Sequence, residues 1–132
     1  MSVLQLDHIN IRTAHLAESI VFYRDVLGMT VKPPPMTTDL TRGAYVHDAG
    51  DRAIVHLVRT ENLVIGPEPV RGAAQRGMID HFALRCSGRE DYIARLTDSG
   101  VEYSAQHVPE LQMQLIFVRD PNGILIELNF PY

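Results

Sequence analysis

Two similar stretches decide the fold of this chain: Leu6-Asp7-His8-Ile9-Asn10-Ile11-Arg12 and Ile79-Asp80-His81-Phe82-Ala83-Leu84-Arg85. The second stretch begins 73 residues after the first. A second matched pair of segments follows, Ile54-Val55-His56-Leu57 and Leu125-Ile126-Glu127-Leu128, in which His56 corresponds to Glu127. The chain therefore contains one unit twice, and each copy carries two side chains that can bind a metal.

Hydrophobic periodicity and turn residues predict the order βαβββ for the first unit. Its predicted helix carries apolar residues at helical spacing, namely Leu16, Ile20, Tyr23 and Leu27. The helix is predicted to end at Gly28. The predicted strands are residues 3–12, 29–32, 43–47 and 52–59. Three consecutive prolines at 33–35 stop the second strand, because proline cannot extend a sheet ladder.

The second unit repeats this plan. Its predicted strands are residues 78–86, 101–106, 112–119 and 124–129. Its helix is predicted to begin with a capping box formed by Ser87 and Glu90 and to end at Gly100. Residues 61–77 are rich in proline and glycine and form the predicted linker. We therefore expect one domain over residues 1–132, made of repeat 1 (1–60), the linker (61–77) and repeat 2 (78–132).

Composition excludes several functions. The net charge is −4 and the basic residues are scattered, so nothing indicates a nucleic-acid partner. No apolar run of about 18 residues predicts a membrane span, and the N-terminus does not resemble a signal peptide. The single cysteine, Cys86, excludes an internal disulfide and a multi-thiolate zinc site. These features predict a cytoplasmic protein.

Strand alternation places His8 on one face with Asn10 and Arg12, and His81 on the matching face with Arg85. His56 and Glu127 interrupt otherwise aliphatic strands, so each must face a polar environment on one side of its sheet. Any one of these histidines, taken alone, is more often a hydrogen-bonded or half-exposed residue than a metal ligand. Their pairing by the repeat favours a divalent-metal site formed by His8, His56, His81 and Glu127. Zinc, nickel, cobalt, manganese and iron(II) all accept this donor set, so the donors do not choose the metal.

The chain resembles the vicinal oxygen chelate superfamily, which includes glyoxalase I, extradiol dioxygenases, fosfomycin-resistance enzymes and bleomycin-binding proteins. The resemblance covers essentially the whole chain and is strongest in four segments: Leu6-Asp7-His8-Ile9, Phe22-Tyr23-Arg24-Asp25-Val26-Leu27-Gly28-Met29, Ile79-Asp80-His81-Phe82 and residues 119–128. It implies an α+β fold in which paired βαβββ modules form a curved eight-stranded mixed sheet around a metal. It also matches His8, His81 and Glu127 to the family's ligand positions, and His56 to a position that varies between subfamilies.

The resemblance implies a metal-dependent enzyme of lyase or isomerase type, similar to glyoxalase. Such an enzyme binds a small oxygenated substrate through two vicinal oxygens and stabilises an enolate. Glu127 and His56 are the candidate catalytic bases. Asn10, Arg12 and Arg85 are the candidates to orient the substrate.

Two alternatives remain open at this point. An iron(II) extradiol dioxygenase would use His8, His81 and Glu127 as ligands, with His56 as an acid or base. A non-enzymatic sequestering protein, like the bleomycin binders, would need no complete ligand set. Four protein ligands would leave two open positions on an octahedral metal, enough for a chelating substrate but not for oxygen as well, so we expect turnover without oxygen.

A homodimer is also expected. One curved sheet in a small chain leaves an apolar face and free strand edges that a second copy would cover. The long linker would let the two modules pair either within one chain or across two chains.

Overall fold

A computed structural model describes residues 1–35, 37–60, 79 and 81–132. The chain has the α+β fold expected from its sequence, with its described strands in two four-stranded mixed sheets. It divides into two compact units, Met1–Asn62 and Leu63–Tyr132. The predicted linker, residues 61–77, lies outside the described residues. None of the described helices is long and apolar enough to cross a bilayer.

The first unit has the predicted βαβββ order. Its elements are β1 (Ile9–Thr13), α1 (Leu16–Val21), a π-helical continuation (Phe22–Val26), β2 (Thr30–Lys32), β3 (Gly43–His47) and β4 (Ala53–Arg59). The strands lie in the order β1-β4-β3-β2. The pair β1–β4 is parallel and the other pairs are antiparallel.

The second unit repeats this topology. Its elements are β5 (His81–Arg85), α2 (Arg89–Asp98), β6 (Tyr103–Val108), a short 3₁₀ helix (Pro109–Leu111), β7 (Met113–Arg119) and β8 (Leu125–Pro131). Its strand order is β5-β8-β7-β6, with β5 parallel to β8 and the remaining pairs antiparallel. The order of the first sheet is thus reproduced strand for strand.

One face of each sheet is packed and the other is open. In the first sheet, alternate residues such as Val55 and Leu57 are buried, as are the apolar residues of the helix, including Tyr23 and Leu27. In the second unit the buried residues of the packed face are Ile116, Val118, Ile126, Leu128 and Phe130, together with Leu96 of the helix; Leu115, on the other face of its strand, is buried as well. Because strand side chains alternate, the intervening residues lie on the open face, and these include all four predicted metal donors.

Both helices end as the sequence predicts. Gly28 and Gly100 adopt positive φ angles of 69° and 66°. The amide that follows each glycine bonds back to a carbonyl in the preceding turn: Met29 bonds Tyr23, six residues earlier, and Val101 bonds Leu96, five residues earlier. This pattern is the Schellman motif, and it satisfies carbonyls that the helix end would otherwise leave unpaired.

Several boundaries differ from the prediction; for example, the last strand ends at Pro131 and not at residue 129. β1 begins at Ile9 and not at residue 3, and the apolar side chains of Val3 and Leu4 are exposed, so no burial holds that segment in the sheet. The capping box is wrong: Gly88 is the N-cap and no side chain caps the helix, while Glu90 bonds the Arg89 guanidinium instead. β6 begins at Tyr103, because the turn that closes α2 uses residues 99–101.

The thiol of Cys86 is half-buried beside Tyr92 on the packed side of the second sheet. Burial raises the pKa of the Cys86 thiol, and burial together with Cys86 raises the pKa of Tyr92 to about 12. Since the thiolate is the reactive form, a raised pKa lowers its population at pH 8. We expect labelling of Cys86 by a thiol reagent at pH 8 to be at least about 10-fold slower than in the urea-unfolded chain. Equal rates in the two states would contradict this placement.

Candidate metal centre

The four predicted donors occupy equivalent positions along the two repeats, although His81 is the first residue of β5 and His8 lies one residue ahead of β1. His8 stands two residues before Asn10, and Asn10 is the register partner of His56. In the second sheet His81 stands two residues before Ala83, whose register partner is Glu127. The same offset in both parallel strand pairs supports the repeat at the level of hydrogen-bond register. Each unit brings its own two donors together.

The donors of the first unit form part of a ring stack. The imidazoles of His8 and His56 are 3.8 Å apart between centroids with an interplanar angle of 15°. Tyr45, the register partner of His56 on β3, stacks on the other face of His56 at 3.7 Å and 6°. The strand order β1-β4-β3 produces this sandwich, because it places the three residues side by side on one face. His56 is therefore held in a fixed plane between two rings.

Asp7 orients the imidazole of His8. Its carboxylate Oδ1 lies 2.6 Å from Nδ1 of His8. A carboxylate at Nδ1 holds the proton on that nitrogen, which leaves Nε2 with its lone pair free to bind a metal. The neighbouring residue thus supplies the partner that metal-binding histidines commonly have.

Burial lowers the pKa of His56, and the neighbouring imidazole of His8 lowers that pKa further. His56 is therefore neutral at pH 7, since the ordinary histidine value is already about 6.5. A neutral imidazole has a lone pair that can bind a metal or accept a proton. The electrostatics of this position are compatible with either of the two roles predicted for His56.

The second unit pairs an imidazole with a carboxylate. Nε2 of His81 lies 3.0 Å from Oε2 of Glu127, and the Glu127 side chain is 16% exposed. Phe117, the register partner of Glu127 on β7, meets the His81 ring edge-to-face with centroids 6.3 Å apart. Phe117 stands where the first unit has Tyr45, so an aromatic residue on the third strand flanks the donors in both units.

The predicted substrate-binding residues are placed differently from one another. Asn10 is exposed beside His56 on the open face of the first sheet. Arg12 donates from Nη2 to the backbone carbonyl of Thr60 at 2.8 Å, so part of its guanidinium is used within the unit. Arg85 is exposed at the end of β5.

Sequence reasoning missed Asn129. This residue lies on β8 two positions after Glu127, on the same face, in register with Arg85. Its carboxamide Oδ1 is buried and has no hydrogen-bond partner. An unpaired buried acceptor is costly, so its place beside Glu127 makes it a candidate to meet a polar ligand. Strand alternation from Glu127 was the signal that could have found it.

The donor types suit a divalent transition metal. Imidazole and carboxylate are the usual ligands of zinc, iron(II), nickel and cobalt in proteins. Within the described ranges, no three His, Cys, Asp or Glu residues lie close enough together to hold a metal. The pair His8 and His56, and the pair His81 and Glu127, each offer two donor groups of the kind that bind such a metal.

Comparisons with known proteins agree with this fold. A family model for the Glyoxalase/Bleomycin resistance protein/Dioxygenase superfamily matches residues 5–128. A curated relative, Glyoxylase I 4 of Arabidopsis thaliana, is 25% identical over 133 residues, which cover 97% of this chain and 71% of the relative. The chain belongs to the Glyoxalase/Bleomycin resistance protein/Dioxygenase superfamily.

Solved structures of this fold include a putative glyoxalase family protein of Bacillus anthracis, 20% identical with a TM-score of 0.69, covering 100% of this chain and 98% of that one. The lactoylglutathione lyase of Agrobacterium tumefaciens is 17% identical with a TM-score of 0.69, covering 98% and 95%. The fosfomycin resistance protein FosX of Listeria monocytogenes is 16% identical with a TM-score of 0.69, covering 99% and 96%.

The superfamily sets the broad class of this protein. Its members bind small molecules, are often enzymes and commonly use a divalent metal. The structural relatives named above act on different compounds, to judge by their names, so likeness in fold does not select a reaction.

Proposed function

We propose that this protein is a divalent-metal-dependent enzyme of lyase or isomerase type, similar to glyoxalase, acting on a small substrate with two vicinal oxygens. The observation that carries the proposal is the repeated register. His8 and His56 in one unit, and His81 and Glu127 in the other, occupy equivalent open-face positions. A fold that only needed stable sheets would have no reason to keep a donor at all four. We propose that these four residues bind one metal ion, which is zinc, nickel, cobalt, manganese or iron(II).

Each donor would have a distinct task in this enzyme. A divalent metal would act as a Lewis acid toward the two substrate oxygens and stabilise an enolate. Glu127 is the first candidate to move the proton, because a carboxylate that leaves the metal during turnover can accept one. His56 is the second candidate base, since it is neutral at pH 7.

The polar residues around the donors would orient the substrate. Asn10 and Asn129 lie on the open faces next to His56 and Glu127. Arg85 and Arg12 would attract an anionic or oxygen-rich substrate.

An iron(II) extradiol-type dioxygenase is the second candidate, and one observation favours it. His56 is held between the parallel rings of His8 and Tyr45. Stacked imidazoles direct their lone pairs side by side and not toward one point. His56 would then serve as an acid or base beside a three-residue set of His8, His81 and Glu127.

An assay of oxygen dependence separates the two candidates. We expect turnover of hemithioacetals or α-hydroxy carbonyl compounds under anaerobic conditions, because the proposed reaction moves only protons. Metal-loaded protein would be assayed under argon with such compounds, and its iron(II) form in an oxygen electrode with a panel of catechols. Oxygen uptake coupled to a ring-opened product would overturn the leading proposal and establish the dioxygenase.

We also propose a cytoplasmic homodimer. Among the described residues, each sheet ends at its first and second strands, β1 and β2 or β5 and β6, which pair on one side only. Leu4 and Leu6 are exposed ahead of β1, as is Ile79 ahead of β5. A second copy that covers these groups would give a particle of twice the 14.8 kDa chain mass by light scattering. A monomer at tens of micromolar protein would refute the dimer.

A further inference from the structure

The second unit contains a surface cavity of about 570 Å³ at the end of β5. The beginning of α2 and the neighbouring ends of β7 and β8 form its other walls. Two of its lining residues are arginines, Arg85 and Arg89, and others are Ser87, Gln114 and Phe130. The volume is in the range of small-molecule sites. The proposed metal chemistry makes no use of Arg89.

The internal repeat shows that the fold does not require an arginine at position 89. Arg89 is the first residue of α2, and its counterpart 73 residues earlier, Leu16, is the first residue of α1. Leu16 is only 8% exposed and belongs to the packed core. An apolar side chain thus suits this place in the βαβββ unit, so the charge at position 89 needs another explanation.

The position of Arg89 is also energetically unfavourable for a guanidinium. The beginning of a helix carries partial positive charge, which repels a guanidinium. Nη1 of Arg89 bonds the Glu90 carboxylate at 2.7 Å, but Nε is buried and has no hydrogen-bond partner. A buried donor without an acceptor costs stability. Proteins keep such local conflicts mainly where they serve a function.

An anion in the cavity would relieve the charge conflict, because it would place a negative charge near the start of α2 and offer acceptors to the terminal nitrogens of Arg89. Arg85 provides a second guanidinium, which forms no ion pair with any described residue. Two guanidinium groups match the charge and the several oxygens of a phosphate better than those of a single carboxylate. Phe130 and Pro131 supply apolar surface for a small organic group.

We infer that this cavity is a binding site for the phosphate group of a small phosphorylated molecule, held by Arg85 and Arg89. The site includes none of the four proposed metal donors and does not depend on metal binding, although it shares Arg85 with the residues proposed above to attract the substrate. The failure of either proposal would leave the other standing.

Inorganic phosphate is the probe for this site. We expect it to perturb the amide signals of residues 85–89 in an NMR titration, with a Kd on the order of 1 mM. At 20 mM phosphate the Tm should rise by about 3–6 °C relative to sodium chloride of the same ionic strength. The buffer contains EDTA, so that phosphate held by a metal is not counted.

Two substitutions on α2 provide a matched comparison. Arg89→Leu installs the residue of the first unit, so the variant should fold with an unchanged or higher Tm and lose at least 10-fold in phosphate affinity. Arg95→Leu removes the same charge from the last turn of the helix, outside the cavity, and should leave phosphate affinity unchanged. Arg85→Gln is the second cavity variant and should also lose at least 10-fold.

Three results would overturn the inference. The first is the absence of any phosphate effect on residues 85–89 or on Tm up to 20 mM. The second is an equal loss of affinity in Arg95→Leu, which would mean general charge attraction. The third is acetate binding as tightly as phosphate, which would mean that the cavity does not recognise the phosphate group.

Discussion

Replacing His81 by alanine is expected to lower the affinity for a divalent metal by at least about 100-fold, because it would remove one proposed ligand and the imidazole that pairs with Glu127. His8→Ala and Glu127→Ala should have effects of the same size. His56→Ala should cost less if His56 acts as a base and not as a ligand. The measurement is calorimetric titration of metal-stripped protein with zinc, nickel, cobalt and manganese, and with iron(II) under argon.

The control for this series is His15→Ala. His15 is exposed at the start of α1 and has no counterpart among the four donors, so its loss should leave the affinity unchanged. Wild-type protein that binds none of these metals more tightly than about 10 μM would refute the proposed centre. Equal loss in the His15 variant would show that the titration reports surface histidines in general.

Replacing Leu128 by alanine is expected to lower the free energy of unfolding by about 2–5 kcal/mol, the range for a leucine removed from a packed core. Leu128 is fully buried on β8, on the face that packs against the rest of the second unit. Urea denaturation followed by circular dichroism measures the change.

Leu125→Ala is the matched control, because it makes the same deletion on the same strand but on the open face. Leu125 is partly exposed, so its truncation should cost about 1 kcal/mol or less. If the two variants lost equal stability, the assignment of packed and open faces to this sheet would be wrong. The comparison thus tests the alternation that places Glu127 with the proposed donors.

The sequence predicted most of the fold because both units are strongly patterned. Strands such as β4 and β8 alternate buried and open residues, and glycines at 28 and 100 mark the helix ends. Errors arose where local chemistry was read without its tertiary setting. The capping box failed because Gly88 takes the left-handed conformation at the N-cap, so Ser87 lies outside the helix start.

The candidate donors could be named from the sequence because the repeat aligns them, but their surroundings could not. The stacking of Tyr45 on His56 depends on β3 lying next to β4 in a particular register. The unpaired acceptor of Asn129 depends on burial, which no single residue type reveals. The unfavourable position of Arg89 could not be predicted either, because it depends on where the two helices begin, which places Arg89 opposite the buried Leu16 of the first unit.

The closed pairing of each sheet bears on how such a chain could arise. Every described strand pairs only with strands of its own unit. Doubling a gene for one βαβββ unit would therefore have added a second copy without disturbing any hydrogen bond of the first. The packed face had to be inherited nearly intact, whereas the open face was free to change. The two copies differ at some equivalent open-face positions, such as Val58 in the first unit and Asn129 in the second. After descent from one ancestral unit, such differences would be where the two halves specialised.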